Sequence, residues 1–216
     1  MRPELARLPP APAGTLAMVQ ARARRDHEAG MFYFDPAFQR PAVKVLPGEF
    51  YVHDEDVVIT TTLGSCVSVC LHDAGAGVGG LNHFMLPDAG DVTAGARFGA
   101  FAMELLINEL LKRGARRGFL EARVFGGGQV MKSLSATLIG DKNVAYARSF
   151  LAAEGIPLRG GDVLDVVPRR ICMFPRTGLV LCRRLPAADG AQYAAQEVRY
   201  RSELAQAPAG KVELFK

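Results

Sequence analysis

From Glu49 onward the apolar positions follow a strand-like order. Val57 to Thr62 and Cys66 to Leu71 are rich in β-branched residues, and Gly64 and Ser65 between them predict a tight turn. Gly75, Gly77, Gly79 and Gly80 loosen the chain before LNHFML resumes an apolar run. The clearest helix comes next. Met103, Leu106, Ile107 and Leu110 recur at i, i+3, i+4 and i+7, with Glu104, Asn108 and Lys112 on the opposing stripe, and Gly114 is a natural stop. FLEARVF then reads as a strand ending in Gly126, Gly127 and Gly128, and Asp141 offers a cap for a helix running to Gly155. VLDVV, ICMF and LVLCRR read as strands separated by Pro168, Pro175 and Gly178.

The ends look different. Residues 1–30 mix Pro, Ala, Gly and Arg without a sustained apolar period, so they read as a mobile arm. Met31 to Gly48 carries aromatics and prolines and suits an extended strip clamped onto a domain. After Pro186 the chain is polar and Ala-rich, consistent with one helix and a frayed end over 187–216. Strands first, then helices alternating with short strands, predict a single layered α+β domain over 31–186. Its sheet is expected to be mixed or antiparallel, with helices packed on the outside.

Composition narrows this further. With 216 residues, 49% of them hydrophobic, the chain can build one sizeable core. The net charge of +4 sits largely in short arginine clusters: Arg22, Arg24 and Arg25, then Arg116 and Arg117, then Arg169, Arg170, Arg183 and Arg184. Nucleic-acid surfaces interleave such charges with stacking aromatics, but Trp is absent and the aromatics fall within apolar runs. A solvated basic face, or a docking surface for an acidic protein, fits better. Four cysteines behind an N-terminus without an apolar leader point to a reducing cytoplasm, and FGAFAMELLINELL is too short and too charged to cross a bilayer.

The candidate chemistry gathers between Thr60 and Pro87. Cys70, Cys172 and Cys182 lie on apolar strands and read as small buried hydrophobes. Cys66 differs, because it follows an LGS turn whose backbone N–H groups can face a developing oxyanion and lower a thiol pKa. His83 lies in an apolar run and suits a general base steered by a third group. Thr60, Thr61 and Thr62 supply hydroxyls for that role. Alternation sends Thr60 and Thr62 to one face and Thr61 to the other, and spacing does not choose between Thr60 and Thr62. A zinc site from Cys66, Cys70, His72 and His83 is disfavoured, since residues four apart on a strand stand roughly 13 Å apart. The pieces GAGVGG and GGG match no phosphate-binding pattern.

Several of these stretches together strongly resemble the chemoreceptor glutamine deamidases, the CheD family. They are TTTLGSCVSVCLHD, GVGGLNHFMLP, RVFGGGQVM, IGDKNVAYARSFLAAEGIPL and GGDVLDVVPRRICMFPRTGLVLCRRL. The resemblance covers about Phe32 to Leu185. It implies a layered α+β fold related to a deamidating toxin domain, and hydrolysis of selected glutamine side chains in methyl-accepting chemotaxis receptors. It implies Cys66 as nucleophile, His83 as base and Thr60 as third member, with no metal or organic cofactor and sometimes a CheC-type phosphatase as partner. Gln129 and the IGDKN segment depart from many relatives and are expected to lie off the triad. Two other readings stay open: an adaptor that binds receptor or phosphatase and survives loss of Cys66, and a thiol amidase that accepts free substrates.

Overall fold

A computed structural model describes residues 20–86, 92–130 and 134–186, with single positions 17, 195, 197, 199, 200 and 202; in 92–97 and 134–138 it describes the backbone alone. Most of the expected arm and tail lies outside these residues. Among the described residues ten strands form two five-stranded sheets. The first sheet has the order β1-β2-β4-β9-β10, built from β1 (Met31–Asp35), β2 (Arg40–Lys44), β4 (Val58–Leu63), β9 (Arg169–Phe174) and β10 (Leu179–Arg184). The second has the order β3-β6-β5-β7-β8, built from β3 (Phe50–His53), β6 (Val78–Asn82), β5 (Val67–Asp73), β7 (Leu120–Gly126) and β8 (Leu158–Val163). Each sheet is mixed. β2 runs parallel to β4 and β7 parallel to β8, while the remaining pairs are antiparallel.

The helices α1 (Val92–Lys112) and α2 (Leu134–Ala153) lie on one face of the second sheet, α1 against β3, β5 and β6 and α2 against β5, β7 and β8. Strand alternation sorts the side chains into layers. Val67, Val69 and Leu71 of β5 pack against Met103, Leu106, Ile107 and Leu110, the apolar stripe of α1. The opposite parity of both sheets, including Ile59, Leu63, Cys66, Cys70, Leu81 and Met173, fills the space between the sheets. The expected layered α+β class is therefore observed. Among the described residues no helix is long and apolar enough to cross a membrane.

Several local expectations change. Met31 to Gly48 is a hairpin built into the first sheet rather than a strip laid upon it. The described end of the expected arm is docked: Glu28 bridges to Phe50, Ala29 N donates to Phe50 O, and Ala29 is fully buried. α2 begins at Leu134, so Asp141 lies within it and caps nothing. The third-from-last strand is Leu158–Val163, not VLDVV. There the backbone turns left-handed at Leu164 (φ 66) and Asp165 (φ 72). Fully buried Arg169 stabilises that turn, donating to Asp162, Val167 O and Leu164 O. The late arginines are accordingly not one free basic face: Arg170 pairs with Asp35, and Arg184 with Asp162 and Asp165.

Candidate active site

The chain passes from the first sheet to the second between β4 and β5, and Gly64, Ser65 and Cys66 make the crossing. Every carbonyl of this turn is held from outside. Gly64 O accepts from Gly128 N at 2.7 Å, Cys66 O from Gly127 N at 2.8 Å, and Ser65 O from Asn143 Nδ2 of α2 at 3.0 Å. The glycine run after β7 is needed for this embrace: Gly126 has φ 101, and a Cβ there would stand 2.2 Å from Cys66 O. With the carbonyls so engaged, the three N–H groups converge on the other side, the arrangement expected of an anion cradle.

A carboxylate occupies that cradle. Glu197 Oε1 accepts from Gly64 N at 2.9 Å and Cys66 N at 3.1 Å, while Oε2 accepts from Ser65 N at 2.9 Å and Ser65 Oγ at 2.7 Å. Glu197 is buried, and the described residues around it, at 195, 199, 200 and 202, are helical. Gly64 leaves it room, since a Cβ there would lie 2.9 Å from both carboxylate oxygens.

His83 follows β6 and is fixed by its backbone, its N donating to Glu49 O at 2.9 Å and its O accepting from Gly48 N at 2.8 Å. The preceding Asn82 accepts from Val69 N at 2.9 Å and donates to Ala102 O at 3.1 Å, which ties this corner to β5 and α1. Cys66, His83 and Glu197 each place one N, O or S atom within 4.8 Å of the other two, all buried. These three could hold a metal ion by distance alone. However, both Glu197 oxygens already accept N–H or O–H groups, which suits a carboxylate in a donor cradle. Cys70 and His72, the other members of the disfavoured zinc set, join no such group among the described residues.

The threonine beside the imidazole is Thr61, not Thr60. Thr61 Oγ1 lies 2.8 Å from His83 Nδ1 and 2.8 Å from Val45 O. A hydroxyl has one proton; given to the carbonyl, it leaves an oxygen that accepts from Nδ1–H. Nε2 then carries the lone pair, and it is buried without a hydrogen-bond partner among the described residues. Thr60 has the opposite parity. Its hydroxyl donates to Val43 O at 3.3 Å and meets Tyr33 Oη at 3.1 Å on the outer face of the first sheet. Strand geometry thus puts Thr61, and not the Thr60 that the resemblance implied, within reach of the imidazole. The parity was readable, because Thr61 shares a face with Ile59 and Leu63, the two apolar inward positions of β4.

Burial pushes the Cys66 thiol well above its ordinary range, and the Glu197 carboxylate pushes it further. Burial also pushes His83 down to about 4, with Glu197 opposing. Thiol and imidazole are therefore both neutral in this state. Asn143 and Glu197 escaped the sequence reading. Asn143 belongs to the IGDKN segment expected to lie off the triad; it bonds Ser65 O, next to Cys66, and its Oδ1 accepts from Leu86 N at 2.9 Å. Nothing local marks Glu197, which lies 131 positions from Cys66.

Known proteins share this sequence closely. A Burkholderia thailandensis protein named probable chemoreceptor glutamine deamidase CheD 2 is 53% identical over 194 residues, 85% of this chain and 98% of its own. An Albidiferax ferrireducens protein named probable chemoreceptor glutamine deamidase CheD 1 is 47% identical over 199 residues, 91% of this chain and 85% of its own. This chain belongs to the CheD family. The family model described as CheD chemotactic sensory transduction matches residues 85–184, a span that begins after His83. The match to the CheD 1 relative, over 91% of the chain, necessarily takes in residues 60–83. A solved Bacillus licheniformis protein, YfiH, is similar over 52% of this chain and 49% of its own, with a TM-score of 0.36 and 13% identity.

Proposed function

We propose that this chain hydrolyses the side-chain amide of selected glutamines in methyl-accepting chemotaxis receptors, giving glutamate through a Cys66 thioester. The names of its CheD relatives supply the substrate class. The observation that carries the chemistry is the cradle of Gly64, Ser65 and Cys66 N–H groups, adjoining a buried thiol and a neutral imidazole.

His83 Nε2 takes the thiol proton, and Sγ attacks the carboxamide carbon. The tetrahedral oxyanion is held by the turn's N–H groups, which now hold a Glu197 oxygen. The imidazolium returns its proton to the departing amine, and ammonia leaves. Water, deprotonated by the same nitrogen, opens the thioester and restores the thiol. Thr61 fixes the Nδ1–H tautomer but, being uncharged, does not balance the imidazolium with a full charge. No metal or organic cofactor enters these steps. Residues 31–186 act as the catalytic domain, in the cytoplasm where receptor signalling helices are reached, and a CheC-type phosphatase is the regulator to test for.

Incubation with a purified receptor signalling fragment, read by ammonia release and peptide mass spectrometry, tests this. The intact chain converts glutamine to glutamate, and Cys66→Ala and His83→Ala each abolish the conversion. Undiminished conversion by Cys66→Ala would remove the nucleophile assignment. A chain that binds receptor but never converts it would be an adaptor.

A further inference from the structure

The occupant of the cradle is part of the chain itself. Glu197 presents a γ-carboxylate, the group that a glutamine substrate becomes, on a segment whose described residues are helical. Both oxygens are fully engaged by four donors of the turn that carries Cys66. A second anchor holds the segment in register: Tyr200 packs against the core between the sheets, and its ring lies against Gly48, whose N–H in turn binds His83 O. Among the described residues the carboxylate pairs with no cation; it meets amide N–H groups and a hydroxyl, with the thiol and the imidazole close by.

We propose that Glu197 is an intramolecular product mimic: the Gly64–Cys66 turn is a binding site for the γ-carboxylate of a helix-borne glutamyl residue, and the C-terminal segment keeps it filled until a receptor helix displaces it. This rests on the deamidase reading for its biological sense, but not for its structural test. While Glu197 is seated, the reacting position is blocked. Its negative charge also opposes formation of the Cys66 thiolate. Receptor affinity is then reduced by the fraction of time the segment is docked.

The test uses full-length chain. Alkylation of Cys66 by iodoacetamide, followed by peptide mass spectrometry, is expected to be roughly tenfold faster in Glu197→Ala than in the parent, with KM for a receptor fragment lowered and kcat little changed. Equal alkylation rates in two folded proteins would overturn the proposal. Glu197→Gln supplies the second arm, because it places a carboxamide at the reacting position. Cys66 attacks the amide carbon, ammonia leaves with the His83 proton, and water releases a carboxylate, so this variant should convert itself to the parental sequence. Adding Cys66→Ala to it should stop the conversion. An amide that persists while the same preparation deamidates receptor would show that the side chain does not sit at the reacting position. If instead receptor is never deamidated but Glu197→Ala still exposes Cys66, the deamidase reading fails and the docked carboxylate stands.

Discussion

At the scale of single residues, the nucleophile and base candidates were legible because each breaks a local pattern. Cys66 follows a Gly-Ser turn and His83 interrupts an apolar run. The hydroxyl within reach of His83 lies one position from the Thr60 that the resemblance implied, and in a strand one position is the opposite face. Thr61→Val keeps the shape but removes the acceptor, leaving His83 Nδ1–H without that oxygen in a buried site. Deamidation by this variant should fall roughly tenfold or more, mainly in kcat. Thr60→Val, which severs contacts to Tyr33 and Val43 O on the outer face, should keep near-parental kcat. The reverse ranking of the two variants in steady-state kinetics would return the third position to Thr60.

At the scale of elements, the long apolar helix was legible from its stripe, and its stop was too: Gly114 has φ 92. The start of α2 was not, since a capping residue such as Asp141 looks the same inside a helix as before one. β8 was displaced because the bond network of Arg169, which bends Leu164 and Asp165 out of strand geometry, cannot be read from VLDVV. Asn143 shows how one helix side chain sets the site. It spans from α2 to the Ser65 carbonyl and to Leu86 N, and it is fully buried. Asn143→Ala leaves the buried Ser65 O and the half-buried Leu86 N without this partner, so unfolding in urea should show a loss of about 2 kcal/mol. Loosening of the cysteine turn should lower kcat in the variant that remains folded. A stable variant with parental kcat would mean that the Gly127 and Gly128 bonds alone hold the turn.

For the whole molecule, the α+β class followed from the order of strand and helix patterns, whereas the division into two sheets did not. β4 and β5 adjoin in sequence and look like a hairpin, yet they enter different sheets, because the glycine run after β7 captures the turn carbonyls between them. The same burial that shapes the space between the sheets sets the response to acid. His83 and His53 are both held down to about 4, each chiefly by burial, and His53 further by Arg113; their ordinary value is 6.5. Between these values the unfolded chain binds protons at both rings and the folded chain does not. Their contribution to stability is therefore fully present above pH 6.5 and is lost as pH falls toward 4. Glu49, raised above 4.5 by burial, acts in the opposite sense near the bottom of that window. Thermal denaturation should show a Tm that is level from about pH 7.5 to about pH 6.5 and falls from there to about pH 4.5. His53→Gln, outside the proposed catalytic pair, should remove roughly half of that slope. If Tm proves flat across the window, or the variant keeps the parental slope, the buried histidines do not govern acid stability.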